Sequence, residues 1–249
     1  MPASELPAAA PSVPSVAIAA SAPRVLATAS ARWAQLGERL RACFWLKAIG
    51  TTTLMSLFFV GYFHLLRHPV QPAFEMPLSA IDRWIGFQPW ALWPYVSLWV
   101  YVALPPALLP NARELIRYGW WIAGLCMAGL ACFYLWPTAV PRHVVDIAEH
   151  AGFELLRGVD AAGNACPSLH VATAAFSALW LDRLLRDLAM PRWLRGASAL
   201  WFALIVWSTL AVKQHVWWDV AAGLLLALAV ALPALHGGGA RRRGDIIAL

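Results

Sequence analysis

Residues 220–240, VAAGLLLALAVALPALHGGGA, run without a single Asp, Glu, Lys or Arg. A helix needs about 20 predominantly apolar residues to cross ~30 Å of hydrocarbon. It is also the open-ended structure that keeps every backbone N–H and C=O paired where no water is present. The stretch therefore reads as one membrane-spanning helix. Working back toward the N-terminus, the windows 196–212, 161–181, 118–141, 84–112 and 48–66 are free of charge in the same way. Each reads as a further span, with Pro94, Pro105 and Pro106 expected to kink or end the one in 84–112.

Composition agrees with this pattern. Of 249 residues 61% are apolar and 13% charged, about half the ~25% charge of an ordinary soluble domain. Fifteen Trp residues suit the boundary between hydrocarbon and water, where indole concentrates. The expected fold is an all-α, polytopic membrane bundle of six transmembrane helices over residues 43–236, with tails at 1–42 and 237–249. Residues 1 to about 30 are rich in Ala, Pro and Ser and lack a basic start followed by an apolar run. They read as a disordered cytoplasmic tail and not as a signal peptide. Residues 31–42, with Arg32, Glu38, Arg39 and Arg41, suit a short interfacial helix. No internal repeat or second domain is evident.

Orientation follows from the cations. With the N-terminus inside, the inner side holds Arg24, Arg32, Arg39, Arg41, Lys47, Arg113, Arg117, Arg183, Arg186, Arg192, Arg195 and Arg241 to Arg243, against Arg67, Arg83, Arg142, Arg157 and Lys213 outside. That excess puts both termini in the cytoplasm. The net charge of +6 does not signal nucleic acid, because the Arg residues sit in loops and form no basic stripe with interleaved aromatics. Cys43, Cys126, Cys132 and Cys166 show no paired spacing and read as small packing residues, with neither a disulfide nor a zinc site implied.

On this map the remaining polar residues gather at the outer ends of neighbouring helices. Arg142 follows the third span, Pro167-Ser168-Leu169-His170 opens the fourth, and Lys213, His215 and Asp219 straddle the turn between the fifth and sixth. These residue types suit phosphoryl transfer. Arg142 and Lys213 supply positive charge to nonbridging phosphate oxygens, and Ser168 sits where helix-start N–H groups favour an anion. Two histidines allow one to attack phosphorus while the other protonates the leaving oxygen. Asp219 can hold one imidazole nitrogen as a donor and leave the other free.

These residues resemble the type-2 phosphatidic acid phosphatase superfamily, which also contains vanadium haloperoxidases. Its motifs are Lys-six residues-Arg-Pro, then Pro-Ser-Gly-His, then Ser-Arg-five residues-His-three residues-Asp. The second corresponds to Pro167-Ser168-Leu169-His170 and the third to Ser208-Thr209, five residues, His215, three residues, Asp219. Of the first, Arg142 remains, with Leu135 in the place of Lys and His143 in the place of Pro. The resemblance spans roughly residues 130–235. It implies that His215 is the nucleophile, Asp219 orients it, His170 is the acid and then the base, and Arg142 and Ser168 bind phosphate. Lys213 is one turn from Thr209, where the family has Arg, and is expected to restore a charge. Leu169 in place of Gly, with the altered third motif, is similar to the branch containing inositol phosphorylceramide synthases.

The resemblance therefore implies an integral membrane lipid-phosphate phosphatase working through a phosphohistidine at the outer face. The alternative is a phosphotransferase that passes a phosphoryl or phospho-headgroup to a lipid or polyol acceptor. A lipid-binding or transport protein with a decayed site is the reading from a different class. No cofactor and no metal is expected at these residues, and the partners are the lipid phosphate and membrane lipids. The layout fits a bacterial inner membrane with a periplasmic site. Several residues have blander expectations. His64, His68 and His143 read as interfacial, and Asp146, Glu149 and His150 as one face of an exposed amphipathic helix. Trp136, Trp217 and Trp218 read as an aromatic belt. Asn164 and Cys166 flank the second motif without a role of their own.

Overall fold

The computed structural model describes residues 29–141 and 163–236. Helix α1, Ala29–Arg41, precedes α2, Phe44–Arg67, across Cys43, whose φ of 55° makes the corner. After α2 come a two-residue strand β1, Phe74–Glu75, and the short helix α3, Ala80–Trp84. A 3-10 turn at Pro89–Ala91 leads into α4, Leu92–Val96, and α5, Leu98–Leu108. Helix α6, Ala112–Leu135, starts at Asn111, whose side chain accepts the Glu114 N–H at 2.9 Å. Strand β2, Thr138–Ala139, pairs in parallel with β1, Phe74 opposite Thr138. Helices α7, Leu169–Asp187, α8, Arg192–Ala211, and α9, Trp217–His236, complete the described chain.

Among the described residues, five segments are long and apolar enough to cross a membrane: Phe44–Arg67, Pro89–Leu108, Ala112–Leu135, Arg192–Ala211 and Trp217–His236. Their helical, apolar character marks an integral membrane protein, and among the described residues a small β1–β2 ladder accompanies the helices. Helix α7 has the length, 19 residues, but carries His170, Asp182, Arg183, Arg186 and Asp187. Position explains that composition. It packs against α5, α6, α8 and α9, and Val171, Ala172, Ala174, Phe176, Trp180 and Leu184 are buried within the bundle. In a membrane bundle the ionisable residues of a helix face the bundle interior or sit at its ends. At its charged end Asp182 accepts from Arg195 Nε at 2.6 Å and from Arg186.

The window 84–112 is divided into the 3-10 turn, α4 and α5, the last two meeting at Ser97, with Pro94 inside α4 and Pro105 and Pro106 inside α5. The helix from window 118–141 starts earlier, at Ala112, and stops at Leu135, ahead of Pro137. The exterior is lined by apolar side chains, among them Leu57, Val60, Trp93, Val100, Leu200 and Leu225, as lipid contact requires. Cations are unevenly shared between the two ends. Among the described residues Arg32, Arg39, Arg41, Lys47, Arg113, Arg117, Arg183, Arg186, Arg192 and Arg195 lie toward the end where α2 begins and α7 finishes, and Arg67, Arg83 and Lys213 toward the other.

Candidate active site

Three helix ends meet at the end of the bundle where α7 and α9 begin and α8 finishes. Ser168 is the N-cap of α7: its Oγ accepts the Val171 N–H at 3.2 Å, satisfying a donor that the helix start leaves unpaired. Its own N–H donates to the carbonyl of Asp219 at 3.0 Å. One backbone bond thus ties the second motif to the third. The approach is close enough that a Cβ added to Gly223, one turn further along α9, would lie 2.5 Å from the Ser168 carbonyl oxygen. Only glycine fits there.

Helix α8 ends at Ala211, and the chain reverses over its last turn. Lys213 takes a φ of 60°, and the N–H groups of Gln214 and His215 both donate to the Thr209 carbonyl, at 3.1 and 3.2 Å. This fold-back presents His215 just ahead of α9. Asp219 follows in the first turn of α9 and is wholly buried. Its Oδ2 accepts the Val216 N–H at 3.0 Å and lies 3.4 Å from His215 Nδ1. That separation is within ion-pairing distance but not aligned as a hydrogen bond. With Nδ1 toward Asp219, Nε2 is the ring nitrogen on the far side from the carboxylate.

His170 comes from the first turn of α7, and its ring stacks on Tyr95 of α4 with centroids 4.1 Å apart and planes at 19°. Its Nε2 is buried without a hydrogen-bond partner among the described residues. His170 and His215 line one cavity of about 840 Å³, together with Asn164, Tyr95, Leu169 and Thr173. The structure therefore brings His170, Ser168, His215 and Asp219 together from two helix starts and one loop.

Leu169, where the family motif has Gly, is accommodated by a glycine elsewhere. A Cβ at Gly129 of α6 would lie 2.4 to 3.0 Å from three side-chain carbons of Leu169. Gly129→Ala is therefore expected to cost about 1–3 kcal/mol by overpacking. In a double-mutant cycle with Leu169→Ala, thermal midpoints should show coupling between the two positions, the pair losing less than the sum of the single losses.

Lys213 is turned elsewhere. Its ammonium donates to the carbonyl of Asp82 at 2.9 Å and to that of Ile85, at the end of α3. Burial pulls its pKa below the ordinary range, with the Asp82 carboxylate opposing. The expected compensation for the missing Arg is thus not the use this geometry makes of it. Thr209 itself is buried, with its hydroxyl donating to Val206 O at 2.8 Å, and Leu135 is exposed. Arg142 lies outside the described residues, as do His143, Asp146, Glu149, His150 and Arg157. Among the described residues no three His, Cys, Asp or Glu side chains converge as a metal site.

Two residues of the site were not singled out by sequence reasoning. Tyr95 carried no signal beyond lying in an apolar window. Asp82 did carry one: Ser79-Ala80-Ile81-Asp82 has the spacing of a capping box, and the structure forms it, with Ser79 N–H to Asp82 Oδ2 at 2.7 Å and Asp82 N–H to Ser79 Oγ at 3.3 Å. The same carboxylate accepts the Trp217 N–H on Oδ1 at 2.8 Å, so it anchors the start of α9 beside His215. Asp82→Ala leaves both N–H groups without acceptors and is expected to lower stability by about 3 kcal/mol, read as a fall in thermal midpoint, with Asp82→Asn costing less. The flanking residues also have roles: Asn164 Nδ2 donates to Tyr62 O at 3.1 Å, and Cys166 N–H to Thr138 Oγ1 at 2.8 Å. Burial pushes the Cys166 thiol up to about 11, with Asp219 adding to it, so it sits there as a neutral packing group.

Neither a curated protein nor a solved structure matches the chain. A profile described as the PAP2 superfamily matches residues 71–232, a range that runs from β1 almost to the end of α9 and contains every motif residue named above. Family and apolar helices together fit a membrane lipid phosphatase. The chain belongs to the PAP2 superfamily.

Proposed function

We propose that this protein is an integral membrane lipid-phosphate phosphatase with a covalent phosphohistidine step. The observation that carries the reading is that His170 and His215, from separate helices, line a common cavity, with Asp219 buried behind His215. In the proposed reaction His215 Nε2 attacks phosphorus and forms a P–N bond as the P–O bond to the lipid breaks. His170, protonated, gives its proton to the departing alkoxide. It then takes a proton from water, whose oxygen attacks phosphorus and releases His215 and inorganic phosphate. Asp219 holds the Nδ1 proton and stabilises the cationic ring. Ser168, whose oxygen already accepts from Val171, keeps its hydroxyl proton for a phosphate oxygen, and Arg142 supplies the guanidinium.

The topology proposed with it has six spans, α7 being the sixth. The cation excess at the opposite end of the bundle supports an orientation with both termini in the cytoplasm. The histidine end then faces outward, to the periplasm if the membrane is a bacterial inner one. A second reading rests on Leu169 and Thr209, the departures in the second and third family motifs. In it an alcohol replaces water as acceptor, as in the inositol phosphorylceramide synthase-like branch, and Lys213 has no part in phosphate binding.

Purified protein in nanodiscs, screened over lipid phosphates with His215→Ala as control, tests both. Free phosphate equal to substrate consumed, abolished by the substitution and by vanadate, supports the phosphatase. Stoichiometric acceptor modification with little free phosphate supports the transferase. Turnover insensitive to vanadate and to His215→Ala contradicts both, and absence of turnover across the whole screen is the result expected of a protein whose site has decayed.

A further inference from the structure

The cavity that the histidines line does not stop at them. It continues between α2, α5 and α6 to Leu46, Thr51, Pro106 and Leu115 near the opposite end. From Tyr62 to Leu46, both in its wall, is sixteen residue steps at ~1.5 Å each, or about 24 Å along the helix axis. Its polar side chains concentrate at the histidine end, with His170, His215, Asn164, Thr173, Tyr62 and Tyr95, and the remainder is lined almost wholly by apolar groups. A volume of about 840 Å³ lies in the upper part of the ~300–1,000 Å³ range of small-molecule sites. The shape is that of an amphiphile: a compact polar head with one long apolar tail.

Two glycines set the room in the inner half. Gly50 of α2 and Gly119 of α6 both line the cavity, and a Cβ at either would meet nothing within 4 Å. They are therefore not required by packing within the protein, unlike Gly129 and Gly223. Helix α2, which forms one long wall, precedes the residues matched to the family, and none of its most apolar window is buried in the protein. The wall is thus a lipid-facing helix through whose sides a chain can enter from the bilayer.

We infer that this cavity holds a hydrocarbon chain of the lipid whose phosphate the histidines handle, and that Gly50 and Gly119 set the length of chain it takes. The inference rests on the phosphatase reading for its headgroup and extends it to the tail. A chain entering from the bilayer leaves one apolar medium for another, so no water-to-oil gain drives it. Discrimination comes from fit, through dispersion contacts that are individually small and collectively large.

The test uses the full chain in nanodiscs with n-alkyl phosphates from octyl to octadecyl. In Gly119→Phe and Gly50→Leu the ratio of octadecyl to octyl phosphate kcat/KM is expected to fall about tenfold, as the contacts of the inner half are lost. An unchanged ratio overturns the inference. A readout independent of turnover uses His215→Ala with octadecyl phosphate bearing a diazirine at its chain end. Labelling within residues 46–58 and 115–123, lost on adding Gly119→Phe, supports the chain site. Labelling spread over lipid-facing positions such as Leu200, Leu225 and Leu228 overturns it. If the labelling is as expected but no alkyl phosphate is ever hydrolysed, the chain site stands and the phosphatase reading fails.

Discussion

His215→Ala is expected to lower lipid-phosphate turnover by ~10⁴-fold or more, the scale on which loss of a covalent nucleophile acts. The fold should survive, since the His215 backbone N–H, not its ring, closes the loop onto Thr209. His170→Ala should fall by a similar factor, because a leaving alkoxide without a proton donor reverses the attack. Combining the two should add little, as groups that act in one step are not additive. Asp219→Asn keeps the shape of the buried side chain, yet loses the charge that stabilises the ring during attack, and should cost up to ~10⁴-fold. Phosphate release with thermal midpoints measured in parallel separates these catalytic losses from unfolding. Wild-type turnover in His215→Ala would remove that residue from the reaction.

Gly223→Ala should be the most damaging small substitution in the helices. In an exposed helix this change stabilises by ~0.8–1.0 kcal/mol. Here the new Cβ would lie 2.5 Å from the Ser168 carbonyl oxygen and 3.3 Å from both the Ser168 carbonyl carbon and Val171 Cβ. The obstacle is backbone, which cannot swing aside as a side chain does. Helix α9 must therefore back away from the start of α7, at a cost of about 1–3 kcal/mol. The same movement stretches the Ser168 N–H bond to Asp219 O that joins the two motifs. A displacement of ~1 Å between reacting groups can cost about 100-fold in rate, so turnover at a temperature where the variant is folded should fall by roughly that factor. Gly124→Ala and Gly196→Ala, where a Cβ meets nothing within 4 Å, are the controls and should be neutral or stabilising. Equal behaviour of all three would show that α7 and α9 do not depend on this contact.

The apolar windows were legible because the bilayer imposes length and composition on each helix separately. The ends were less so. Window 161–181 does not say that the helix begins only at Leu169, where Ser168 caps it, nor that it runs on to Asp187 because Asp182 is paired with Arg186 and Arg195. The grouping of His170, His215, Ser168 and Asp219 followed from motif order and alternating helix direction. Lys213 shows where that logic stops. Placing it one turn from Thr209 assumed a continuing helix, but α8 ends at Ala211 and Lys213 is left-handed, which sends its side chain to α3. Tyr95, Gly129 and Gly223 act only through partners on other helices, so no local pattern could single them out.

In the proposed reaction His215 carries the phosphoryl group between donor and acceptor. Rapid acid-free quench of the full-length protein with a lipid labelled in its phosphate, followed by peptide mapping, tests it directly. The expected result is a phosphoryl adduct on His215, stable to alkali and lost in acid, that persists longer when His170 is replaced. Sustained phosphate release with no adduct on His215, or with the label on another side chain, would contradict it.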